Sequence, residues 1–299
     1  MRFRVKHVTE YEYQERVAQC YNLAFLVPRN TDRQQCLDSH IHIEPFSAWS
    51  SRNEDYFGNT AFHFEIQAPH ERLVITSESE VNVDTQNAAQ RLDFGISYAQ
   101  ALELLATSRT TEIREVKEFL LTSPAVKLND DITAYAKASF SPNRPVLSCV
   151  RELTSRIYED FKYDPEATSV ATPLEEVFAK KAGVCQDFAH FEIACLRAMG
   201  LPARYVSGYI ETLPPPGEEK LLGSDASHAW IAVYSPSEGW YEFDPTNDKL
   251  AADQHIITAW GRDYFDVTPL KGVIFGGGES PKLNVSVDVT RIEDAAELI

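Results

Sequence analysis

One cysteine of this 299-residue chain stands where a thiol is most readily activated: Cys185, in Ala182-Gly183-Val184-Cys185-Gln186-Asp187-Phe188-Ala189. A glycine turn precedes it, and Phe188, Phe191, Cys195, Leu196 and Met199 repeat behind it at helical spacing. A cysteine at a helix start meets unpaired backbone N–H groups and the positive end of the helix dipole, and both favour the thiolate. A thiolate nucleophile in acyl transfer needs a base and a group to orient that base. Two later segments supply these residue types: Ser227-His228-Ala229-Trp230 and Tyr241-Glu242-Phe243-Asp244-Pro245-Thr246.

The elements around these residues must bring them together. Pro145 opens an amphipathic pattern in which Val146, Cys149, Val150, Leu153, Ile157 and Phe161 share a face. Thr172-Pro173-Leu174-Glu175 predicts a helix with Thr172 as its cap, running to Gly183. The cysteine helix ends at Gly200-Leu201-Pro202, and the pattern then changes period. Residues 203–210, 229–234 and 239–244 read as successive strands, the last two joined as a hairpin by Ser235-Pro236-Ser237-Glu238-Gly239. Adjacent antiparallel strands would set His228 beside Asp244, and a helix packed on them would aim Cys185 at the pair. Leu213-Pro214-Pro215-Pro216-Gly217 reads as a stiff loop at the border of such a cleft.

Upstream, residues 1–90 form a β-rich region. Phe3 and Val5, Ile41 and Ile43, Phe62, Phe64 and Ile66, and the run from Leu73 to Val83 all alternate with polar residues. Many short strands with turn chemistry between them predict a β-sandwich-like domain. Residues 91–299 form the second unit. It holds helices near 96–107, 111–121 and 129–138, then the elements above, and ends in a β extension with a strand at 283–289.

Other candidates carry less. Asp187 falls in the first helical turn, where an acid favours the dipole without any catalytic role. His190 is rotated well around the helix from Cys185, and Cys195 reads as core. The spacing of Cys185, His190 and Cys195 does not converge on one helix face, which argues against zinc. Gly276-Gly277-Gly278 lacks the lysine and following helix of a phosphate loop and reads as a turn. Trp230, Trp240 and Tyr163 are candidates for the cleft or for the core. No cofactor and no metal are expected.

A net charge of −17 argues against nucleic acid or anionic membrane as partner. The five cysteines form an odd set without a C-x-x-C pair, which predicts reduced thiols. With a charged, alternating N-terminus and no long apolar run, the expectation is a cytoplasmic protein.

Four motifs together carry a family resemblance: Gly183-Val184-Cys185-Gln186-Asp187, the run Leu201–Tyr209, His228-Ala229-Trp230 and Phe243-Asp244-Pro245-Thr246-Asn247. They resemble the bacterial branch of the transglutaminase-like superfamily, most strongly over residues 150–250. Asp55-Tyr56-Phe57-Gly58-Asn59 is similar to the all-β region that precedes such cores, and Gly261-Arg262-Asp263-Tyr264 also fits. The resemblance implies an α+β, papain-like core with helices packed on an antiparallel sheet. It also implies a catalytic triad of Cys185, His228 and Asp244. The chain departs from papain itself in a shorter cysteine-to-histidine interval and an Asp as third member. The implied activity is thiol acyl transfer on a peptide, protein or small amide, as peptidase or amidase. A protein-glutamine gamma-glutamyltransferase is the first alternative and a non-catalytic binding module the second. A thiol-redox role lacks a resolving cysteine.

Overall fold

Alternation along the first strand is the pattern from which the molecule is built. In β1 (Arg2–Ala24) Phe3, Val5, His7 and Thr9 point inward at every second position. The computed structural model describes residues 1–84, 92–212, 226–236 and 238–292. After β1 come β2 (Gln34–Glu44), β3 (Trp49–Glu54), β4 (Thr60–Ile66) and β5 (His70–Val83). Helices follow: α1 (Tyr98–Thr107), α2 (Thr111–Val116) continued by a 3-10 turn over Lys117–Leu120, α3 (Asp130–Lys137) and α4 (Val146–Asp160). Then come β6 (Lys162–Tyr163), α5 (Leu174–Lys180), β7 (Ala182–Gly183) and α6 (Cys185–Ala198). The chain closes with β8 (Ala203–Ile210), β9 (Ala226–Ser235), β10 (Gly239–Asp244), β11 (Lys249–Leu250), β12 (His255–Gly261), β13 (Leu270–Gly276) and β14 (Lys282–Ile292).

The N-terminal strands form a seven-stranded sheet pivoting on β1. The first half of β1 lies between β5 and β14, and its second half between β4 and β13. The register slips between Glu12 and Val17, where the strand passes from one half to the other. Ile43, Leu73 and Ile75 of one half meet Phe62, Phe64 and Ile66 of the other in a shared apolar cluster, giving the sandwich-like character. The C-terminal strands, read from sequence as an extension of the second unit, are therefore partners of the first strand. Gly276, Gly277 and Gly278 all have positive φ and turn the chain at the end of β13, as expected.

The second sheet is antiparallel, in the order β11-β10-β9-β8-β12. Helix α6 lies across it, with α3, α4 and α5 against its other sides. This enclosure explains why every residue from Asp187 to Arg197 is buried, charged ones included. Two details differ from the sequence reading. Thr172 accepts the Ser169 N–H (2.9 Å) and so serves the preceding turn, leaving α5 to start at Leu174 with Pro173 at its cap. That helix also stops before Gly183, with Lys181 in the left-handed conformation (φ 47°). The short parallel pairing of β7 with β6 follows.

The edge of β12 would be left open, and the N-terminal region closes it with side-chain amides. Gln34 accepts the Ile257 N–H and donates to the Ile257 carbonyl, both at 2.8 Å. Asn59 accepts the Trp260 N–H (2.9 Å) and donates to the Trp260 carbonyl (2.8 Å). Each amide supplies the donor and acceptor that another strand's backbone would offer. Asp55 holds Asn59 in place by accepting from its backbone N–H and from Nδ2. This is the physical role of the Asp55–Asn59 motif. Arg29 stacks over Trp260 and Arg33 pairs with Glu242 (2.8 Å) across the same junction.

Candidate active site

Cys185 is the first residue of α6, and the geometry before it is set by Asp187. The Asp187 carboxylate accepts the Val184 N–H (2.8 Å) and the Thr168 hydroxyl (2.6 Å). This leaves the Cys185 N–H at the helix start without an intrahelical acceptor. Gly183 is required because a Cβ there would run into the Asp187 carboxylate. Asp187 is therefore a cap, consistent with its position in the first turn. Its own pKa is raised by burial.

The other two residues come from the second sheet. His228 lies on β9 opposite Gly208, where a Cβ would strike the Ile256 carbonyl and Trp230. Asp244 ends β10, the antiparallel neighbour of β9. His228 Nε2 donates to Asp244 Oδ2 at 2.8 Å, and Cys185 faces the same cleft as the imidazole and acts on its charge. With Nε2 engaged by Asp244, Nδ1 is the nitrogen left for sulfur. Burial disfavours the imidazolium, but the hydrogen bonds and charges of Asp244 and Cys185 outweigh it and raise the His228 pKa to about 10.

Asp244 is fully buried and heavily solvated by the protein. Oδ1 accepts the backbone N–H groups of Thr246 (3.0 Å) and Asn247 (3.2 Å), and Oδ2 accepts Asn247 Nδ2 (2.7 Å). The Asp-Pro-Thr-Asn turn thus folds back on its own carboxylate. Oδ2 also accepts His255 Nε2 at 3.0 Å. Burial opposes the charge, but the bonds from His228 and His255 prevail and hold Asp244 well below the usual carboxylate range.

His255 was not flagged by its sequence context. The signal near it is the β-branched run Ile256-Ile257-Thr258, which marks the strand. Nδ1 of His255 accepts the Ala252 N–H (3.3 Å), which puts the ring proton on Nε2, facing Asp244. Burial lowers its pKa, so it is a neutral donor. His228, Asp244 and His255 place ligand-type atoms within 4.8 Å of one another, a spacing a metal ion accepts. Those atoms are already closed on each other as hydrogen bonds, and His255 presents a proton to the group where a lone pair would be needed. The cluster fits a hydrogen-bonded relay better than a metal site.

The remaining candidates fall elsewhere. His190 accepts the Tyr264 N–H (3.1 Å) and packs on Tyr205, and Cys195 is core. Trp230 is fully buried with its indole N–H on Glu242 (2.6 Å), and Trp240 packs on Phe119 and Arg204. Tyr163 is half-exposed and packs edge-on against Phe188. The Leu213–Gly217 loop lies outside the described residues. Cys185 and His228 open onto a cleft of about 440 Å³ bordered by α6, β8, β9 and the N-terminal sheet.

Known proteins share this arrangement of parts. Residues 3–82 match the bacterial transglutaminase-like N-terminal region, and residues 132–245 match the transglutaminase-like superfamily core. An uncharacterized protein of Mycobacterium tuberculosis is 40% identical over 99% of this chain and 94% of its own length. The chain belongs to the transglutaminase-like superfamily. A second mycobacterial relative of this transglutaminase-like protein, from Mycobacterium leprae, is 33% identical over 97% of the chain and 99% of its own length. A protein-glutamine gamma-glutamyltransferase of Pseudomonas aeruginosa is 30% identical over 54% of the chain and 24% of its own length. The crystal structure of a candidate cysteine protease from Cytophaga hutchinsonii superposes with a TM-score of 0.74 at 21% identity, covering 99% of this chain and 92% of that one. That likeness extends the shared fold through the N-terminal sheet.

Proposed function

We propose that this transglutaminase-like protein is a thiol-dependent acyl-transfer enzyme acting on amide bonds, with Cys185 as nucleophile, His228 as acid and base, and Asp244 as the group that orients it. The observation that carries this reading is the convergence of Cys185 and His228 on one open cleft, with the His228 imidazole bonded behind to the buried Asp244. Cys185 passes its proton to His228, and the sulfur attacks the amide carbonyl. A C–S bond forms as the carbonyl electron pair moves to oxygen, which faces the free Cys185 N–H. Collapse breaks the C–N bond, His228 returns its proton to the leaving amine, and a thioester remains. Water then gives up a proton to His228 as its oxygen bonds to the thioester carbon; the C–S bond breaks, His228 returns the proton to sulfur, and a carboxylic acid leaves. Hydrolysis makes the protein a peptidase or amidase.

The Pseudomonas aeruginosa relative supports a second reading, in which an amine takes the place of water and a glutamine side chain is the acyl donor. Ammonia release from glutamine peptides, measured alongside new C-termini in cleaved peptides, separates the two. Cys185→Ala is expected to abolish whichever is present, and retained activity in that variant overturns the thiol mechanism. Alkylation at neutral pH is expected to label Cys185 first. The thiols of Cys20, Cys36, Cys149 and Cys195 are all pushed up by burial.

A further inference from the structure

The cleft over Cys185 has one wall that does not belong to the catalytic sheet. It is a face of the N-terminal sheet where three successive rungs of the β1–β14 ladder meet it: Tyr11 opposite Leu283, Thr9 opposite Val285, and His7 opposite Val287. Directly opposed residues of an antiparallel pair share a face, and each two-residue step advances about 7 Å. An extended peptide carries its own alternate side chains at the same interval.

The grid is graded in depth. His7 and Val287 are buried, whereas Leu283 and Val285 are 52% and 51% exposed. Half-exposed aliphatic side chains beside a nucleophile form an apolar mouth over a closed floor. The floor is also uncharged, because His7 is fixed between Thr9 (2.8 Å) and Tyr209 (3.1 Å), and burial lowers its pKa to about 4. Asp, Glu, Lys and Arg make up 24% of the chain, yet none of the described residues lining the cleft is one of them. A charged side chain lying against this wall would lose water without meeting a partner there, and the His228 charge across the cleft is already matched by Asp244 and Cys185.

We infer that the β1–β14 face is the specificity wall of the site, and that it selects amide substrates whose side chains beside the reacting bond are uncharged and apolar. This rests on Cys185 being the nucleophile proposed above, and it gives the N-terminal sheet a direct role in choosing the substrate. Both chain ends build the wall, so the site is incomplete without either.

Cys185 itself reports on the wall without any turnover. The intact protein is treated with three methanethiosulfonates: benzyl (neutral), sulfonatoethyl (anionic) and trimethylammonioethyl (cationic). Modification of the Cys185 peptide is followed by mass spectrometry, and each rate is divided by that reagent's rate with free cysteine. The benzyl reagent is expected to lead both charged ones by about tenfold or more. Val285→Lys, a change at a half-exposed position, is expected to raise the anionic ratio severalfold and lower the cationic one, and Leu283→Lys to act in the same direction. Equal normalised rates for a charged and the benzyl reagent overturn the inference, as do unchanged ratios in both folded lysine variants. Charge selection without amide turnover would sink the enzymatic reading alone.

Discussion

In the proposed mechanism His228 delivers its proton to the leaving amine, so His228 sets how the site should respond to pH. Asp244 and Cys185 outweigh burial and keep that proton in place up to about pH 10. A pKa raised above the unfolded value also contributes stability that is full below about pH 6.5 and disappears as pH rises through about 10. Acylation is therefore expected to fall on the alkaline side with a limb near pH 10. In Asp244→Asn the opposing charge is gone and burial weighs more, so the limb moves down from there. The rate at neutral pH then drops by roughly 10²–10⁴. His255→Leu removes a donor that fixes Asp244 and should lower the rate without moving the limb down, and His255→Gln should restore part of the rate by donating an N–H to Asp244. A pH–rate profile of single-turnover acylation reads all three, and an unchanged rate in His255→Leu would remove His255 from the relay.

At the scale of elements, the short stretch from β7 into α6 aims the thiol. The β6–β7 pairing fixes the approach, Gly183 lets the Asp187 carboxylate come close, and Asp187 caps Val184. Gly183→Ala is expected to push that carboxylate away, unfasten the first turn of α6 and cost about 1–3 kcal/mol. Reactivity of Cys185 toward a neutral alkylating reagent should fall with it. Urea melts and alkylation rates check the two effects separately. Unchanged stability in Gly183→Ala would mean that the turn tolerates a Cβ.

Across the whole molecule, the N-terminal sheet is joined to the second sheet by side chains that imitate a strand. Asn59 and Gln34 satisfy the buried edge of β12, the strand that also carries His255. Asn59→Ala leaves the N–H and carbonyl of Trp260 without those partners, and an expected loss of about 2–4 kcal/mol follows. Asn59→Asp keeps the acceptor and loses the donor, while bringing a second carboxylate beside Asp55, so it should not rescue. Thermal melts measure this. Amide exchange at Ile257 and Trp260 tells loss of the junction from general destabilisation.

Much of the site was legible because its signals are local. A glycine followed by an apolar-striped helix announces a cysteine at a helix start, and a five-residue turn between two alternating runs announces the hairpin carrying His228 and Asp244. Periodicity records which face of an element is buried, and so the sheet character of residues 1–90 and the enclosure of α6 were readable as well. It does not record which strand lies opposite. The partnership of β1 with β14 joins the two ends of the chain, and Asp244 meets His255 only because β10 and β12 are held at fixed distance within one sheet. Hydroxyl choices were equally hidden: Thr172 has two turns within reach, and packing directs it to the earlier one. By itself the sequence determined the place of Cys185 at a helix start, the strands that carry His228 and Asp244, and the family's core. The fourth residue of the relay, the chain ends' shared sheet and the uncharged wall over Cys185 were decided by tertiary structure, because each depends on contacts between residues far apart in the chain.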